Sequence, residues 1–140
     1  MDSTSQSNKA LISQILRAYG QGDWRPLLNA IDDDVAWQSH ASLPHYRFGG
    51  ARRGHDGVTE ALAQIATEYA IQRYDVKEII SEGNTVWAFS EGHYHHAHAK
   101  KLVVLQIVTR WVLRDGKIIE YDSFFDTAHV LIQLGRLPAE

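Results

Sequence analysis

Two histidines in one segment are the best candidates for acid–base chemistry in this sequence. His40 directly follows Ser39, and His45 lies in the stretch after it, beside Pro44. Histidine titrates near neutral pH, so at the mouth of a pocket it can accept or donate a proton. We interpret His40 as the candidate catalytic base. The alternative is a partly exposed loop histidine that is hydrogen-bonded to the backbone.

A second group of histidines, in the run HYHHAH at residues 93 to 98, has a spacing that metal ligands can use. His93 with His95, or His96 with His98, would share one face of a strand. A site needs a third ligand, usually a carboxylate, and none lies at a fixed offset. We therefore predict no metal and expect a solvated, pH-sensitive hairpin tip.

Other kinds of chemistry are excluded by what the sequence lacks. The absence of cysteine removes disulfides, thiolate nucleophiles and cysteine-ligated zinc. The motifs G-x-S-x-G, H-E-x-x-H and the phosphate-binding P-loop are also absent, so nothing predicts a serine nucleophile, a zinc protease or a bound nucleotide. We expect no cofactor.

Length and composition predict one globular domain. The chain has 140 residues without internal repeats, so a single domain spans 1–140, and its polar start, residues 1–8, is expected to be flexible. The net charge of -3 provides no basic stripe for phosphates, so we predict no nucleic-acid partner. No apolar run approaches the roughly 18 residues of a membrane span, and no secretion signal begins the chain. We expect a cytoplasmic protein without membrane contact.

Apolar spacing predicts three helices in the first half of the chain. The first helix contains residues 11–19 and ends at Gly20, Asp23 caps a short second helix, and Asp56 begins a third that ends near Ala70. Between the second and third helices, the sequence predicts a solvated turn at 32–34, a strand at 35–39 and a loop up to Gly54. Loops of that length often cover a site.

The second half of the chain predicts a sheet. Strands at 74–81, 85–96, 102–113 and 117–125 are joined by short turns. Asp115-Gly116 is a type I′ hairpin signal, and Asp126 and Gly135 suit the two ends of a final helix. The fold class is therefore α+β. A strongly curved antiparallel or mixed sheet forms a cone, covered by three N-terminal helices, with a short C-terminal helix.

Four segments resemble the nuclear transport factor 2-like superfamily, and within it the SnoaL-like group of polyketide cyclases and ketosteroid isomerase relatives. They read YGQGDWRPLLNAIDDDVAW, GARRGHDGV, SEGNTVWAFSEG and RDGKIIEYDSFFDTA, in that order along nearly the whole chain. The resemblance implies the cone-shaped fold. It does not imply one activity, because the group includes isomerases, cyclases, dehydratases, epoxide hydrolases and binding modules.

The resemblance also implies which side chains face the interior of the cone. On the last strand Ile119, Tyr121, Ser123 and Phe125 point inward, and strand alternation extends the set. The predicted substrate-binding residues are Trp37, Ser39, Ser90, Tyr94, Thr109, Trp111, Ser123 and Phe125. Tyr121 is a candidate catalytic residue, as donor to a developing oxyanion. Alternatively, Tyr121 is a packing residue with a polar tip, and the hydroxyls satisfy nearby backbone.

The catalytic carboxylates of the known relatives are missing. The positions that match the ketosteroid isomerase residues hold Ile15, Thr109 and Ser39, and those that match the limonene epoxide hydrolase residues hold Ser90, Gly92, Ser123, Trp37 and Ser39. A hydroxyl cannot replace a carboxylate base at neutral pH. We expect isomerase, cyclase or dehydratase chemistry on an apolar oxygenated molecule. The alternative is a non-catalytic module that binds a hydrophobic ligand.

The opposite face of the sheet is also apolar. Trp87, Phe89, Val104, Val108 and Val112 would lie there, which is too much apolar surface to leave in water. We predict a homodimer through this convex face. The alternatives are cover by the C-terminal helix or capture of a different protein.

Overall fold

Three helices precede the long strands, as predicted. The computed structural model describes residues 3–139. Its elements are α1 (Ser3–Gly20), α2 (Arg25–Ala30), β1 (Ile31–Ser39), β2 (Gly50–Arg53), α3 (Gly54–Glu68), β3 (Tyr69–Glu82), β4 (Thr85–His96), β5 (Lys101–Arg114), β6 (Lys117–Phe125) and α4 (Thr127–Gln133).

The six strands form one mixed sheet in the order β2-β1-β6-β5-β4-β3. Only the pair β1 and β6 is parallel; the other neighbours run antiparallel. The sheet curves but does not close, so β2 and β3 are its edges. The predicted α+β cone, with three N-terminal helices and a short C-terminal helix, is confirmed.

The local signals at the end of the chain are confirmed by the backbone. Asp115 and Gly116 have φ values of 52° and 78°, as a type I′ turn requires. The Asp126 carboxylate accepts a hydrogen bond of 3.0 Å from the backbone N–H of His129, which caps α4. Gly135 follows that helix with a φ of 74°. These features depend only on residues that are close in sequence, so they could be predicted from the sequence alone.

The prediction of a flexible start is wrong for residues 3–8, which form the first turns of α1; residues 1 and 2 lie outside the described residues. Ser5 and Asn8 are buried. The Ser5 hydroxyl donates to the carbonyl of Gly83, and the Ser81 hydroxyl donates to the carbonyl of Ser5. The helix is therefore extended by a tertiary contact with the β3–β4 hairpin, which the polar composition of the segment does not reveal.

Three boundaries between the helices also differ from the prediction. Residues 32–34 belong to β1, where the pairing with β6 shifts between Ile31 and Ala36, so the acidic cluster lies in a strand irregularity rather than a turn. The predicted loop contains β2, which pairs with β1. The N-cap residue of α2 is Trp24 rather than Asp23, but the Asp23 carboxylate accepts hydrogen bonds from both the backbone N–H and the guanidinium of Arg25, the first residue of that helix.

A bulge in β6 changes one inward residue. Val112 pairs with Glu120, but its neighbour Leu113 pairs with Ile118, so Ile119 is an extra residue in the ladder. Ile118 is fully buried, whereas Ile119 is only partly buried. The expectation that Ile119 points inward is therefore wrong. Strand alternation alone cannot predict a bulge. The extra residue shifts the pattern by one position, so residues on the far side of the bulge point to the face opposite to the expected one.

The main core lies between the helices and the concave face of the sheet. It contains Ile12, Ile15 and Leu16 of α1, Val58 and Leu62 of α3, and strand residues such as Val35, Val86 and Ile118. A second cluster joins Tyr46, in the segment between β1 and β2, to Val130, Leu131 and Leu134 near the C-terminus. No helix in residues 3–139 is long and apolar enough to cross a membrane.

Candidate functional site

A cavity of about 100 Å³ lies between the helices and the concave face of the sheet. Helices α1 and α3 form one wall, and strands β1, β3, β4, β5 and β6 form the other. Its lining residues are Ile15, Leu16, Tyr19, Leu27, Trp37, Ser39, Phe48, Ala61, Leu62, Ile65, Tyr69, Tyr74, Tyr94, Leu105, Ile107, Trp111, Tyr121, Ser123 and Phe125.

The floor of the cavity is built by two neighbouring parallel strands. Trp37 pairs with Tyr121, and Ser39 pairs with Ser123, across β1 and β6. Because the strands are in register, the two aromatic side chains lie next to each other, and so do the two serines. The rings of Trp37 and Tyr121 stack with centroids 3.7 Å apart, and the Ser123 hydroxyl donates to the Ser39 hydroxyl at 3.1 Å. The floor thus presents one stacked pair of aromatic rings, which we call the aromatic plate, and one pair of hydroxyls.

Phenols from other elements gather over this floor. The hydroxyls of Tyr19 on α1 and Tyr94 on β4 are 3.1 Å apart and share one hydrogen bond. The ring of Tyr74 on β3 meets Tyr19 edge to face, with centroids 5.3 Å apart. A phenol that accepts a hydrogen bond from its neighbour still has its own O–H to donate. The group can therefore offer a proton donor to an oxygen atom of a ligand.

Burial keeps these phenols neutral. It raises the pKa of Tyr19, Tyr74, Tyr94 and Tyr121 above the usual value of 10.0, and neighbouring phenols raise the pKa of Tyr74, Tyr94 and Tyr121 further. Burial, with the Glu68 carboxylate as the next cause, raises the pKa of Tyr69 to about 12. At neutral pH these side chains are hydrogen-bond donors and cannot serve as bases.

No carboxylate, histidine, lysine or arginine is among the described residues that line the cavity. An ionised ligand would therefore lose its hydration without gaining a partner of opposite charge, which is a large penalty in an apolar site. The site is suited to an uncharged molecule.

Most of the predicted binding residues line this cavity, but two do not. Trp37, Ser39, Tyr94, Trp111, Ser123 and Phe125 line it, as does Tyr121. Thr109 is buried behind the wall, where its hydroxyl accepts a hydrogen bond of 2.9 Å from the Trp111 indole N–H. Ser90 is fully buried and is not part of the lining. Thr109 holds a cavity residue in place rather than facing the cavity itself.

His40 is not among the lining residues. Its Nε2 lies 2.9 Å from the Asp122 carboxylate, and its ring stacks on Phe124 with centroids 4.2 Å apart. Asp122 and Phe124 alternate with the inward Tyr121 and Ser123, so they lie on the outward face of the sheet. The structure therefore does not bring His40 to the cavity. The reason is strand alternation: His40 follows the inward Ser39, and its backbone N–H still donates to the carbonyl of Ser123, so its side chain lies on the face opposite to that of Ser39.

The histidine run 93–98 is divided between two environments. His93 Nε2 lies 2.9 Å from Glu91 on the outward face. His96 is fully buried, with Nε2 at 2.9 Å from Glu68 and Nδ1 accepting the backbone N–H of Ala99. Because Nδ1 accepts a hydrogen bond, the proton is on Nε2, and His96 joins the end of α3 to the β4–β5 turn. The run is thus not a solvated tip throughout.

Four aromatic lining residues were not among the predicted site residues: Tyr19, Phe48, Tyr69 and Tyr74. Tyr19 shares the apolar face of α1, and Tyr69 fits the apolar spacing of α3, so the sequence predicts that both are core residues. Tyr69 in fact begins β3, immediately after α3 ends at Glu68. Phe48 lies in the segment between β1 and β2, whose side-chain directions follow no period. The one feature of the sequence that could have indicated them is the frequency of tyrosine at positions that are otherwise apolar.

A curved mixed sheet with helices over its concave face, and a cavity between the two layers, defines the nuclear transport factor 2-like class of α+β proteins. Solved structures of this class match nearly the whole chain. TerC, co-crystallised with polyporic acid, is 25% identical over 92% of this chain and 98% of its own, with a TM-score of 0.81.

Two further structures show the same fold at lower identity. An NTF2-like protein of unknown function from Burkholderia pseudomallei is 23% identical, over 91% of this chain and 97% of its own, with a TM-score of 0.83. A LEH-like epoxide hydrolase from M. tuberculosis is 15% identical, over 94% of this chain and 92% of its own, with a TM-score of 0.74.

The SnoaL-like domain family matches residues 12–121. The chain belongs to this family, within the superfamily that its sequence segments resemble. No curated protein matches the chain significantly in sequence. The family and the fold account for the cavity between the helices and the sheet, and its chemistry depends on the side chains that line it.

Proposed function

We propose that this protein binds a small, uncharged and mostly apolar molecule that carries at least one oxygen acceptor. The observation that carries the proposal is the cavity lining, which combines apolar and aromatic side chains with neutral phenols and a pair of serine hydroxyls. A few placed polar groups on an apolar wall are typical of small-molecule sites. The co-crystallisation of the related TerC with polyporic acid also supports a small-molecule ligand.

The size of the cavity limits the part of the ligand that is enclosed. An engineered cavity of about 150 Å³ is sufficient to bind benzene, so a cavity of about 100 Å³ is close to the size of one ring. The aromatic plate of Trp37 and Tyr121 favours a flat ring, which can stack on it at ordinary van der Waals distance. A larger ligand must extend through the opening.

The test uses single-ring compounds that differ in charge. Acetophenone, a neutral ketone, and benzoate, an anion of similar size, are titrated while the tryptophan fluorescence is followed, to which Trp37 and Trp111 contribute from the cavity wall. We expect acetophenone to bind at least about 10-fold more tightly, because benzoate must give up its hydration for an uncharged wall. Equal affinity for both compounds would contradict the proposal.

A blocking variant shows where the compound binds. Ile65→Trp places an indole on a half-buried position of the cavity wall and should remove acetophenone binding. Ala63→Trp, an exposed position on the same helix, is the matched control and should bind like the wild type. Retained binding in Ile65→Trp, with a circular dichroism spectrum like that of the wild type, would place the ligand elsewhere.

A second candidate function is catalysis at this site, as an isomerase, cyclase or dehydratase. The observation that favours it is the convergence of phenol donors, because neutral donors held in a buried site stabilise an oxyanion as it forms. Since no described lining residue is a base at neutral pH, the substrate must carry an acidic C–H or lose its proton to water. In such an enzyme Tyr94→Phe should lower kcat, whereas His40→Ala should leave it unchanged.

We further propose that a second copy of the chain covers the convex face. Trp87, Phe89 and Phe124 are about 40% exposed there, which is costly for large aromatic side chains. Alternating charges around them, including Arg110 beside Asp122, give a twofold partner both signs to pair with.

A further inference from the structure

A group of possible metal ligands lies on the outward face of the sheet, on the other side from the cavity. Asp75 on β3 pairs directly with Glu91 on β4, and His93 is the next residue of β4 that points the same way as Glu91. One oxygen or nitrogen atom of each side chain lies within 4.8 Å of the other two. Two neighbouring strands thus supply three donors of different chemistry at one point.

The ligand atoms are held by neighbouring side chains. Gln106 donates to Glu91 Oε1 at 2.8 Å, and Arg73 Nε lies 2.7 Å from Asp75 Oδ2. Each carboxylate is therefore oriented through one oxygen, and its other oxygen is left to turn toward an ion. Hydrogen-bonded neighbours of this kind orient the ligands in known metal sites. The side chains of Asp75, Glu91 and His93 are only 24 to 29% exposed, so little freedom is lost when they bind.

The spacing of two of the ligands fits a tetrahedral ion after a small adjustment. His93 Nε2 and Glu91 Oε2 are 2.9 Å apart. With metal–ligand bonds of about 2.0 to 2.1 Å and tetrahedral angles, two ligand atoms are separated by roughly 3.3 Å. An ion that replaces the hydrogen bond therefore moves the two atoms apart by only about 0.4 Å. That change is within the reach of side-chain rotation.

We propose that Asp75, Glu91 and His93 bind one Zn²⁺ ion, with water in the fourth position. One imidazole nitrogen with two carboxylate oxygens suits Zn²⁺, whereas Mg²⁺ and Ca²⁺ prefer oxygen ligands alone. The site has two negative carboxylates, and the positive groups that face it are Arg73 on Asp75 and Lys77 near Glu91. The ion would join the edge strand β3 to β4. The proposal is independent of the ligand in the cavity.

The test is calorimetric titration of untagged protein with ZnCl₂, and with MgCl₂ for comparison. Wild-type protein should bind one equivalent of Zn²⁺ and should bind Mg²⁺ at least about 10-fold more weakly. His93→Ala and Glu91→Gln should each weaken Zn²⁺ binding by about 10-fold or more, because loss of even a residue that only orients a ligand typically costs about 10- to 100-fold in affinity. His95→Ala is the matched control, because His95 is an exposed histidine on the same strand and face.

The controls separate this site from other histidines. His95→Ala should keep the wild-type Zn²⁺ affinity within about 2-fold, and all variants should have the wild-type circular dichroism spectrum, since the changed side chains are not part of the core. Co²⁺ bound in place of Zn²⁺ should give a visible absorption spectrum that is lost in His93→Ala. Zn²⁺ binding that is unchanged in His93→Ala, or that is lost in His95→Ala, would overturn the proposal.

Discussion

The tyrosines of this protein should resist ionisation until the protein unfolds. The pKa of Tyr69 allows the contribution to the free energy of unfolding to be calculated. Burial and the Glu68 carboxylate raise the pKa of Tyr69 from 10.0 to about 12. One pKa unit corresponds to 1.36 kcal/mol, so this rise corresponds to about 3 kcal/mol.

The sign follows from which state binds the proton more tightly. The folded protein holds the Tyr69 proton more tightly than the unfolded chain, so folding stability is undiminished below about pH 10 and falls as the pH rises from about 10 to about 12. All six tyrosines have a raised pKa, so the other five contribute in the same direction. We therefore expect alkaline unfolding to be cooperative.

The assay follows phenolate absorbance and circular dichroism on the same samples as the pH is raised. Both signals should change together, in one step above about pH 11, where the loss from several tyrosines approaches the stability of a typical domain. Gradual phenolate formation centred near pH 10, with the circular dichroism signal intact, would refute the reasoning, because it would mean that the phenols are in contact with water.

Tyr69→Phe supplies the matched comparison. The Tyr69 hydroxyl is buried without a hydrogen-bond partner among the described residues. Burying an unsatisfied polar group costs about 1 to 3 kcal/mol, so the variant should be at least as stable as the wild type at neutral pH. Its stability should also fall less between about pH 10 and 12, by up to the roughly 3 kcal/mol assigned to this residue.

Three further predictions concern packing, capping and assembly. Thr109→Val should destabilise the fold by about 1 to 3 kcal/mol in urea denaturation, because the buried Trp111 N–H loses its acceptor; an unchanged midpoint would mean that the bond contributes nothing. Asp126→Ala should cost about 0.5 to 2 kcal/mol through loss of the α4 cap, whereas Asp126→Asn should restore most of it. Phe89→Glu should convert the proposed homodimer into a folded monomer in light scattering, and a dimer that persists in this variant would exclude the convex face as the interface.

The sequence determined the features that depend on near neighbours or on strand alternation. The Asp115-Gly116 turn and the Asp126 cap need only local geometry, and both were found in the structure. The inward direction of Tyr121, Ser123 and Phe125 was implied by the family resemblance together with strand alternation, and these three residues line the cavity. The family could also be recognised, because four segments retain their order along the chain. With the inward strand residues known, an apolar cavity with hydroxyls could be predicted.

Tertiary structure decided which side chains share that cavity. Tyr19 and Tyr94 are separated by 75 positions, and nothing local relates the helix that carries one to the strand that carries the other. His40 follows the inward Ser39, so strand alternation places it on the opposite face, and the pairing of β1 with β6 decides that its partner there is Asp122, 82 positions away. The bulge at Ile119 likewise depends on the register between two strands. Long-range pairing sets these positions, so only the folded chain shows that its cavity has phenols where a base was expected.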